Sequence, residues 1–383
     1  MNRDLMMQTT HRKHLCGKLR RLRTFSVLRP SSCALPPAPC TLHPAFTLVE
    51  LLVAITIMGI LSSIALFALA SVQESAKGDK TRATIAKLNA LVMAKYESYR
   101  TRRVPVDVKA VAAYRNYAAN NLGWAEARVD VLRELMRMEL PDRFTDIIDN
   151  PVTAWTDATT GKPDYMQRPS ASVAYLAALP ATRSTFAEGA KCLYLFVSHG
   201  TDNPDVMQLF GQDEIATDTD GMNYFVDGWG QPIFLQRWAP GFTSPLQPWN
   251  VNPTDALGNA NTNKIYPTTH DPLDPLQMYR PTTGDLFYNP TLPANEQIYP
   301  PLYPLIFSCG PDQIADIFLE GTDPVSGSPN FHYSTTSPPN NPFAVVVGGL
   351  FGAPTDLPNG NDPKNLIDNS VDNITNHDMS ENQ

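Results

Sequence analysis

An uncharged apolar run dominates the pattern of hydrophobic and polar positions. Leu51 to Val72 holds 22 residues without Asp, Glu, Lys, Arg, His, Asn, Gln or Pro. At about 1.5 Å per residue, such a helix spans the roughly 30 Å hydrocarbon core of a membrane. The apolar region of a cleaved secretory signal is shorter, about 7 to 15 residues. The run therefore predicts a transmembrane helix.

After Val72 the helical pattern continues but becomes amphipathic. Apolar residues recur every three or four positions, and charged residues mostly fall between them. The pattern predicts one helix from Phe46 to about Arg100, with its first half in a membrane or a filament core and its second half under a folded domain. The apolar positions of the second half are Ile85, Leu88, Leu91, Val92, Tyr96 and Tyr99.

Pro105 ends this helix, and a second helical region is predicted from about Val106 to Met138. The segment 120–123 contains two Asn and a Gly and should break it into two pieces. Helical spacing predicts that one face packs against the first helix, through Trp124, Val131, Leu132, Leu135 and Met138. The charged residues predicted to point outward are Glu126, Arg128, Asp130, Arg133 and Glu134.

A further short helix is predicted from Ser170 to Leu179, ended by Pro180, with Ser170 or Ser172 as its N-cap. By contrast, the Pro- and Asn-rich stretch from about Pro240 to Pro301 predicts no regular element. It has the composition of an insert or a long solvated loop.

From Lys191 onward the signals are those of strands and loops. The apolar run 192–197 is too short to tell a helix from a strand. Segments 223–226 and 233–238 flank a glycine-rich turn and predict a hairpin, and Leu305–Ser308 predicts a third strand. The predicted fold class is α+β, with a long N-terminal helix, accessory helices and a small antiparallel sheet with loops.

The charges are distributed unevenly along the chain. Residues 1–45 hold eight Lys or Arg and one acid, Asp4. This bias predicts a cytoplasmic N-terminus, with the large domain after the helix on the other side of the membrane. Without residues 1–45 the formal net charge falls from −8 to −15. An acidic outer domain is unlike the basic footprint of a nucleic-acid-binding protein, and a membrane helix follows the basic segment directly, so nucleic acid is not an expected partner.

Glu50 is the one carboxylate at the start of the apolar run. A charge at the centre of a membrane helix costs about 2.5 to 3.5 kcal/mol, so such a residue usually has a functional partner. Two interpretations are open. Glu50 pairs with another group, or it lies at the interface and is solvated by lipid headgroups.

The segment Pro44–Ile55, followed by a long helix, resembles the N-terminal methylation motif of type IV pilins and type II secretion pseudopilins. The resemblance implies that a membrane peptidase cuts between Ala45 and Phe46 and methylates the new amine. It also implies that Glu50 meets the N-terminal amine of a neighbouring subunit during assembly. Ala45 departs from the family, which normally carries glycine at that position.

Two later turns are similar to those of major pseudopilins. One is Asp227–Pro232, and the other is Ser308–Asp312 with Asp316 shortly after it. The resemblance implies that the later loop binds calcium with acidic side chains and backbone carbonyls, which makes Asp312 and Asp316 candidate ligands.

A third acidic turn holds Asp218 and Asp220, spaced like the start of a calcium loop. The closing glutamate of the full calcium-loop pattern is absent, so a plain turn and a calcium site both remain open.

Together these resemblances imply a pilin-like subunit with a leader over 1–45, a long helix over 46–104 and an extracytoplasmic domain over 105–383. Residues 46–72 would lie in the inner membrane before assembly into a filament. The expected partners are further copies of the chain, other pseudopilins, the prepilin peptidase and methyltransferase, and an inner-membrane assembly platform. The alternatives are a type IV pilus subunit, acting in adhesion, motility or DNA uptake, and a tethered binding or enzymatic domain.

Candidate chemistry beyond these motifs is sparse. Ser198–His199–Gly200 lacks the setting of a nucleophilic serine, and the seven histidines show no zinc spacing, so the chain is not expected to be an enzyme. Of the five cysteines, three precede residue 46, which leaves Cys192 and Cys309. In an oxidising compartment this pair could form a disulfide, and two separate buried thiols are equally compatible with the sequence.

Overall fold

The structure is a computed structural model. It describes residues 47–115, 117–151, 166–201, 203, 205–248, 266–283, 287–313, 317, 343 and 373–379. Ala45, Phe46 and Asp316 therefore lie outside the described residues. The chain divides into two units between Leu61 and Ser62. The helices are α1 (Leu48–Thr101), α2 (Val108–Tyr114), α3 (Asn121–Glu139), α4 (Phe144–Ile148), α5 (Ser170–Ala178) and α6 (Glu188–Leu195).

Within the described residues, the strands form two small antiparallel sheets, and the fold class is α+β as predicted. Their bounds are β1 (Ile215–Thr217), β2 (Asn223–Phe225), β3 (Ile233–Gln236), β4 (Leu305–Ser308) and β5 (Ile374–Thr375). β1 pairs with β2, and β4 lies between β3 and β5.

The predicted long helix is confirmed as α1, which is continuous for 54 residues. Its second half is amphipathic because one side is buried at helical spacing. The buried residues are Gly78, Thr81, Thr84, Ile85, Leu88, Val92, Tyr96 and Tyr99. Leu91, also predicted to pack, is half-buried. The amphipathic period therefore predicted this surface from Ile85 onward, whereas the buried positions Gly78, Thr81 and Thr84 before it were not predicted.

The predicted break in the second helical region is also confirmed. Asn120 caps α3, because its side-chain oxygen accepts hydrogen bonds from the backbone N–H groups of Leu122 and Gly123, each at 3.0 Å. Such a cap satisfies amide groups that have no partner inside the helix. The helix ends at Glu139, before Pro141.

The charged face of α3 does not point outward as predicted. Asp130, Arg133 and Glu134 are all buried. Asp130 accepts hydrogen bonds from the hydroxyl groups of Tyr117 and Tyr279, and Arg133 lies 3.5 Å from a carboxylate oxygen of Asp271. Glu134 pairs with Arg137 at 2.8 Å, one turn along the same helix. The prediction was wrong because distant segments cover this face and supply polar partners.

The start of α5 also differs from the prediction. Its N-cap is Pro169, which makes no side-chain capping bond. Ser172 lies one turn further on, and its hydroxyl contacts the Arg168 guanidinium at 3.0 Å. Neither predicted serine is the cap. The apolar run 192–197 is helical: it begins in α6 and continues into a single wide turn, Phe196–Gly200.

The predicted hairpin between residues 223 and 238 was wrong in its pairing. Both strands exist, but β2 pairs with β1 and β3 pairs with β4. The two sides of the turn are joined by an isolated antiparallel bridge between Val226 and Pro232 and by a hydrogen bond from Asp227 N–H to Gln231 O at 2.9 Å. The predicted strand Leu305–Ser308 is confirmed as β4, with Ile233 opposite Ser308 and Gln236 opposite Leu305.

Two hydrophobic clusters hold the second half of α1. One joins the end of α1 to α2 and α3, and Tyr96, Tyr99, Val131, Leu132 and Leu135 belong to it. The other joins the middle of α1 to α6 and the sheets, and Ile85, Leu88, Val92, Phe225 and Ile306 belong to it. The remaining part of the fold is thus built around α1.

Candidate functional site

The first half of α1 is exposed and apolar. Among the described residues, α1 is the one helix long and apolar enough to span a membrane, and none of its most apolar window is buried in the fold. Large side chains along it, from Leu48 at 78% exposed to Phe67 at 81% and Val72 at 63%, contact water in the isolated chain. A continuous apolar surface of this size requires a membrane or partner helices.

Glu50 makes local contacts at the start of this helix. Its Oε2 atom accepts hydrogen bonds from the backbone N–H and from the hydroxyl group of Thr47, each at 2.9 Å. The backbone N–H of Glu50 donates to the Thr47 hydroxyl oxygen at 3.2 Å. This reciprocal pattern is a capping box, in which a Thr and a Glu three residues later satisfy each other's amides. The spacing of Thr47 and Glu50 is visible in the sequence, although the charge of Glu50 alone does not indicate a cap.

Ion pairs fix the buried half of α1 to the rest of the fold. Glu214 accepts hydrogen bonds from Thr84 and from Lys87, the latter at 2.9 and 3.0 Å. Burial would raise the pKa of Glu214, but these donors outweigh it and lower the pKa. At the end of the helix, Glu139 pairs with Lys95 at 2.8 Å and with Arg102.

Asp227 organises the turn between β2 and β3. Its Oδ1 atom accepts hydrogen bonds from the backbone N–H groups of Trp229 and Gln231, each at 2.8 Å. Its Oδ2 atom accepts one from the hydroxyl group of Ser308 at 2.6 Å, and the Ser308 oxygen accepts one from Gly310 N–H at 3.1 Å. The two turns recognised separately in the sequence are therefore joined through one buried carboxylate.

The same turn lies directly against α1. The backbone N–H of Gly228 donates to the Thr81 hydroxyl at 2.9 Å, and the Trp229 indole donates to Glu74. Gly228 is so close to the helix that a Cβ atom there would lie 2.7 Å from Cα of Lys77. The turn needs glycine at this position because the backbones touch.

Comparison with known families identifies the start of α1. Residues 44–66 match the family described as the prokaryotic N-terminal methylation motif. The chain carries a type IV pilin-like signal. This motif indicates a pilin-like precursor that prepilin peptidase processes and that assembles into a filament. Pilins and pseudopilins share the motif, and the match ends inside α1. Searches of curated proteins and of solved structures found no match.

The candidate calcium residues of the pilin-like precursor lie apart. Asp312 is exposed in the turn after β4, while Asp218 and Asp220 lie between β1 and β2 and both pair with Lys191. In the part of the chain that the structure describes, no group of three His, Cys, Asp or Glu side chains is placed to hold a metal ion. Calcium binding by Asp312 and its neighbours stays a prediction.

The two cysteines of the folded part are not joined. Cys192 and Cys309 are both buried thiols in the structure. Cys192 packs in a cluster with Phe144, Ile147 and Tyr175, and burial raises the pKa of its thiol. Of the two possibilities that the sequence left open, the structure has two separate thiols.

The contact between the turn and α1 has a glycine on each side, Gly228 in the turn and Gly78 in the helix. Alanine at Gly228 should lower the melting temperature, and alanine at Gly78 should leave it unchanged or raise it. Gly228→Ala forces the turn away from the Lys77 backbone and is expected to cost about 1 to 3 kcal/mol, or about 2 to 12 °C in melting temperature. Gly78→Ala is the matched control on the helix side. Its Cβ atom would make ordinary contacts at 3.5 Å to Arg82 and 3.9 Å to Trp229. Alanine also favours the helix by up to about 1 kcal/mol.

Thermal unfolding of the full chain in detergent measures both variants. Equal melting temperatures for Gly228→Ala and the parent would show that the turn does not lie this close to α1.

Proposed function

We propose that this pilin-like precursor is a structural subunit of a type II secretion pseudopilus. The observation that carries the proposal is the division of α1 into two halves with different surroundings. Its first half carries the methylation motif and a bare apolar surface, and its second half is the centre of the folded part. The bare half is suited first to the membrane and then to packing against the same helix of other subunits.

In this proposal, the attraction between Glu50 and the N-terminal amine of a neighbouring subunit contributes to assembly. Cleavage before Phe46 creates a new amine at the start of the mature chain. Glu50 of an incoming subunit would face that amine on a neighbour, inside a bundle of apolar helices. A charge pair in such a medium interacts far more strongly than one in water, and a lone charge there is costly. The pair therefore favours addition of a subunit over its return to the membrane.

The two joined turns favour a secretion pseudopilin over a pilus subunit. Asp227 and Ser308 belong to the turns that resemble those of major pseudopilins, and their side chains meet at 2.6 Å. A type IV pilus subunit is the second candidate, because the methylation motif fits it equally. Loss of protein secretion with surface pili intact, in cells lacking the chain, separates the first candidate from the second.

Processing is the first step to test. The intact mass of the chain purified from membranes should correspond to a protein that begins at Phe46 and carries one added methyl group. Ala45→Gly should leave cleavage intact or speed it, because the family normally has glycine there. Ala45→Leu should block cleavage, because a tight peptidase cleft accepts a small residue. A mature chain that retains residues 1–45, or that begins after Val72, contradicts the proposal.

A further inference from the structure

The turn between β1 and β2 is built like a small cation loop. The backbone N–H of Asp218 donates to Met222 O at 2.8 Å, and that of Gly221 donates to Asp218 O at 2.9 Å. Gly221 has a φ of 80°, a conformation that glycine adopts without strain. Closing the turn in this way directs the carboxylates of Asp218 and Asp220 toward one point.

Lys191 of α6 fills that point. The side chain is fully buried, and its Nζ atom donates to Asp218 Oδ2 at 2.6 Å, Asp220 Oδ2 at 2.7 Å and Ser184 O at 3.1 Å. An ammonium group has three protons, and here each has an acceptor. The two carboxylates are nearly buried as well, with 11% and 5% of their side chains exposed.

The other oxygen atoms of the two carboxylates bind the turn itself. Asp218 Oδ1 accepts hydrogen bonds from the backbone N–H of Thr219 at 2.6 Å and from its hydroxyl at 3.2 Å. Asp220 Oδ1 accepts one from Met222 N–H at 2.9 Å, and Asp220 Oδ2 also accepts one from Ser184 N–H. The hydrogen bond from Lys191 is the main cause of the lowered pKa of Asp218. Both carboxylates are thus held as anions around a cation.

We propose that the Lys191 ammonium takes the place of a divalent cation in this turn, so that the parent chain orders the turn without metal and hides a latent calcium site. Calcium binds oxygen atoms at about 2.3 to 2.6 Å and needs six to eight of them. The lysine nitrogen lies within 2.7 Å of the two carboxylate oxygens that an ion would use, so an ion and the ammonium cannot be present together. Removing the ammonium leaves two anions and a carbonyl oxygen around a vacated volume, open to calcium and water.

This arrangement has a structural consequence for the domain. The ammonium ties three separate segments together: helix α6, the Ser184 loop and the tip of the β1–β2 hairpin. A bound metal ion would tie them only when calcium is plentiful. The lysine makes the connection a fixed part of the chain, and the order of the hairpin tip becomes independent of the calcium concentration outside the cell.

The test uses the full chain in detergent, with calcium chloride or a chelator added, and follows thermal unfolding. Lys191→Met should melt lower than the parent in chelator and should regain about 2 to 5 °C in about 10 mM calcium, the gain that millimolar affinity gives. Adding Asp218→Asn to this variant should remove the gain. Lys87→Met is the control, because Lys87 faces one carboxylate, Glu214, and its loss should create no calcium response.

A second measurement tests the proposal even if Lys191→Met fails to fold. Asp218→Asn in the parent should lower the melting temperature equally with calcium and with chelator. If Asp218→Asn instead reduces a calcium-dependent shift of the parent, a metal binds the parent turn and the proposal is overturned. A folded Lys191→Met that responds to calcium no more than the parent also overturns it.

Discussion

Glu50→Gln should yield a protein that folds, inserts and is cleaved normally but adds poorly to filaments. Glutamine keeps the capping box, since it can accept the same two hydrogen bonds from Thr47 that the carboxylate accepts. It removes only the charge. A neighbour's amine would then be buried without an anion, at a cost of about 3 kcal/mol, which lowers the association constant by about 100-fold.

Two further variants separate the charge from the cap. Glu50→Ala removes both, so it should fail in assembly and also lose about 1 kcal/mol at the helix start. Insertion should be unharmed or improved, because an acid has left the apolar helix. Thr47→Ala loosens the cap and keeps the charge, and it should still assemble.

The measurements are the yield of sheared filaments, crosslinking between the first helices of neighbouring subunits, and secretion. If Glu50→Gln assembles and supports secretion as well as the parent, Glu50 is an interfacial acid with a capping role, and the electrostatic part of the assembly mechanism is lost.

Arg237→Met should destabilise the folded part more than any other single change considered. Arg237 is fully buried, and its Nη1 atom lies 2.6 Å from Asp146 Oδ2 and 3.3 Å from Asp142 Oδ1. Methionine fills much of the same volume but leaves two buried carboxylates short of a positive charge. Removing one partner of a buried pair costs about 3 to 5 kcal/mol, or about 6 to 20 °C in melting temperature. Arg82→Met, which breaks an exposed pair with Asp79, should change almost nothing.

The loss of melting temperature caused by Arg237→Met should be smaller at low pH. Burial raises the pKa of Asp142 to about 6, even with Arg237 opposing the shift. A carboxyl group whose pKa is raised by folding binds more protons folded than unfolded, so its stabilisation is complete below its ordinary pKa and is lost as pH rises through the folded value. Loss of Arg237 raises this pKa further.

The variant should therefore lie closer to the parent at pH 5 than at pH 8. Thermal unfolding at both pH values checks this, and Arg237→Met with Asp142→Asn should recover part of the loss at pH 8. A melting temperature within about 2 °C of the parent at pH 8 contradicts the prediction.

The features that the sequence predicted well are those with a long period or a local cause. The second half of α1 repeats an apolar position every three or four residues for several turns, so its buried face was readable. The break before α3 followed from Asn120 and Gly123, which act within their own turn. The Thr47–Glu50 capping box was equally local and could have been found by its spacing alone.

The features that the sequence hid depend on distant partners. Asp130 and Arg133 read as solvent-facing because they are charged and were assigned to the helix face opposite the predicted apolar positions Val131, Leu132 and Leu135. Their polar partners are Tyr279, 149 residues after Asp130, and Asp271, 138 residues after Arg133. The partner of β3 was hidden for the same reason, since β4 lies far along the chain. β2 instead pairs with β1, which lies just before it, and the glycine-rich turn after β2 led the prediction to the wrong neighbour. Lys191 gave no signal in the sequence as the cation of the Asp218 turn.

The contact between the Asp227 turn and α1 determines where a force on the helix would first reach the folded part. In a filament subunit pulled by α1, tension would enter the folded part along the backbone of this helix. The first part of the fold to receive the load is the turn held at Lys77 and Thr81, only a few residues beyond the apolar half. Because Gly228 brings backbone against backbone there, no flexible side chain lies between them to stretch. Load that reaches this segment of α1 would therefore pass directly to the turn, and through Asp227 to Ser308 at the end of β4.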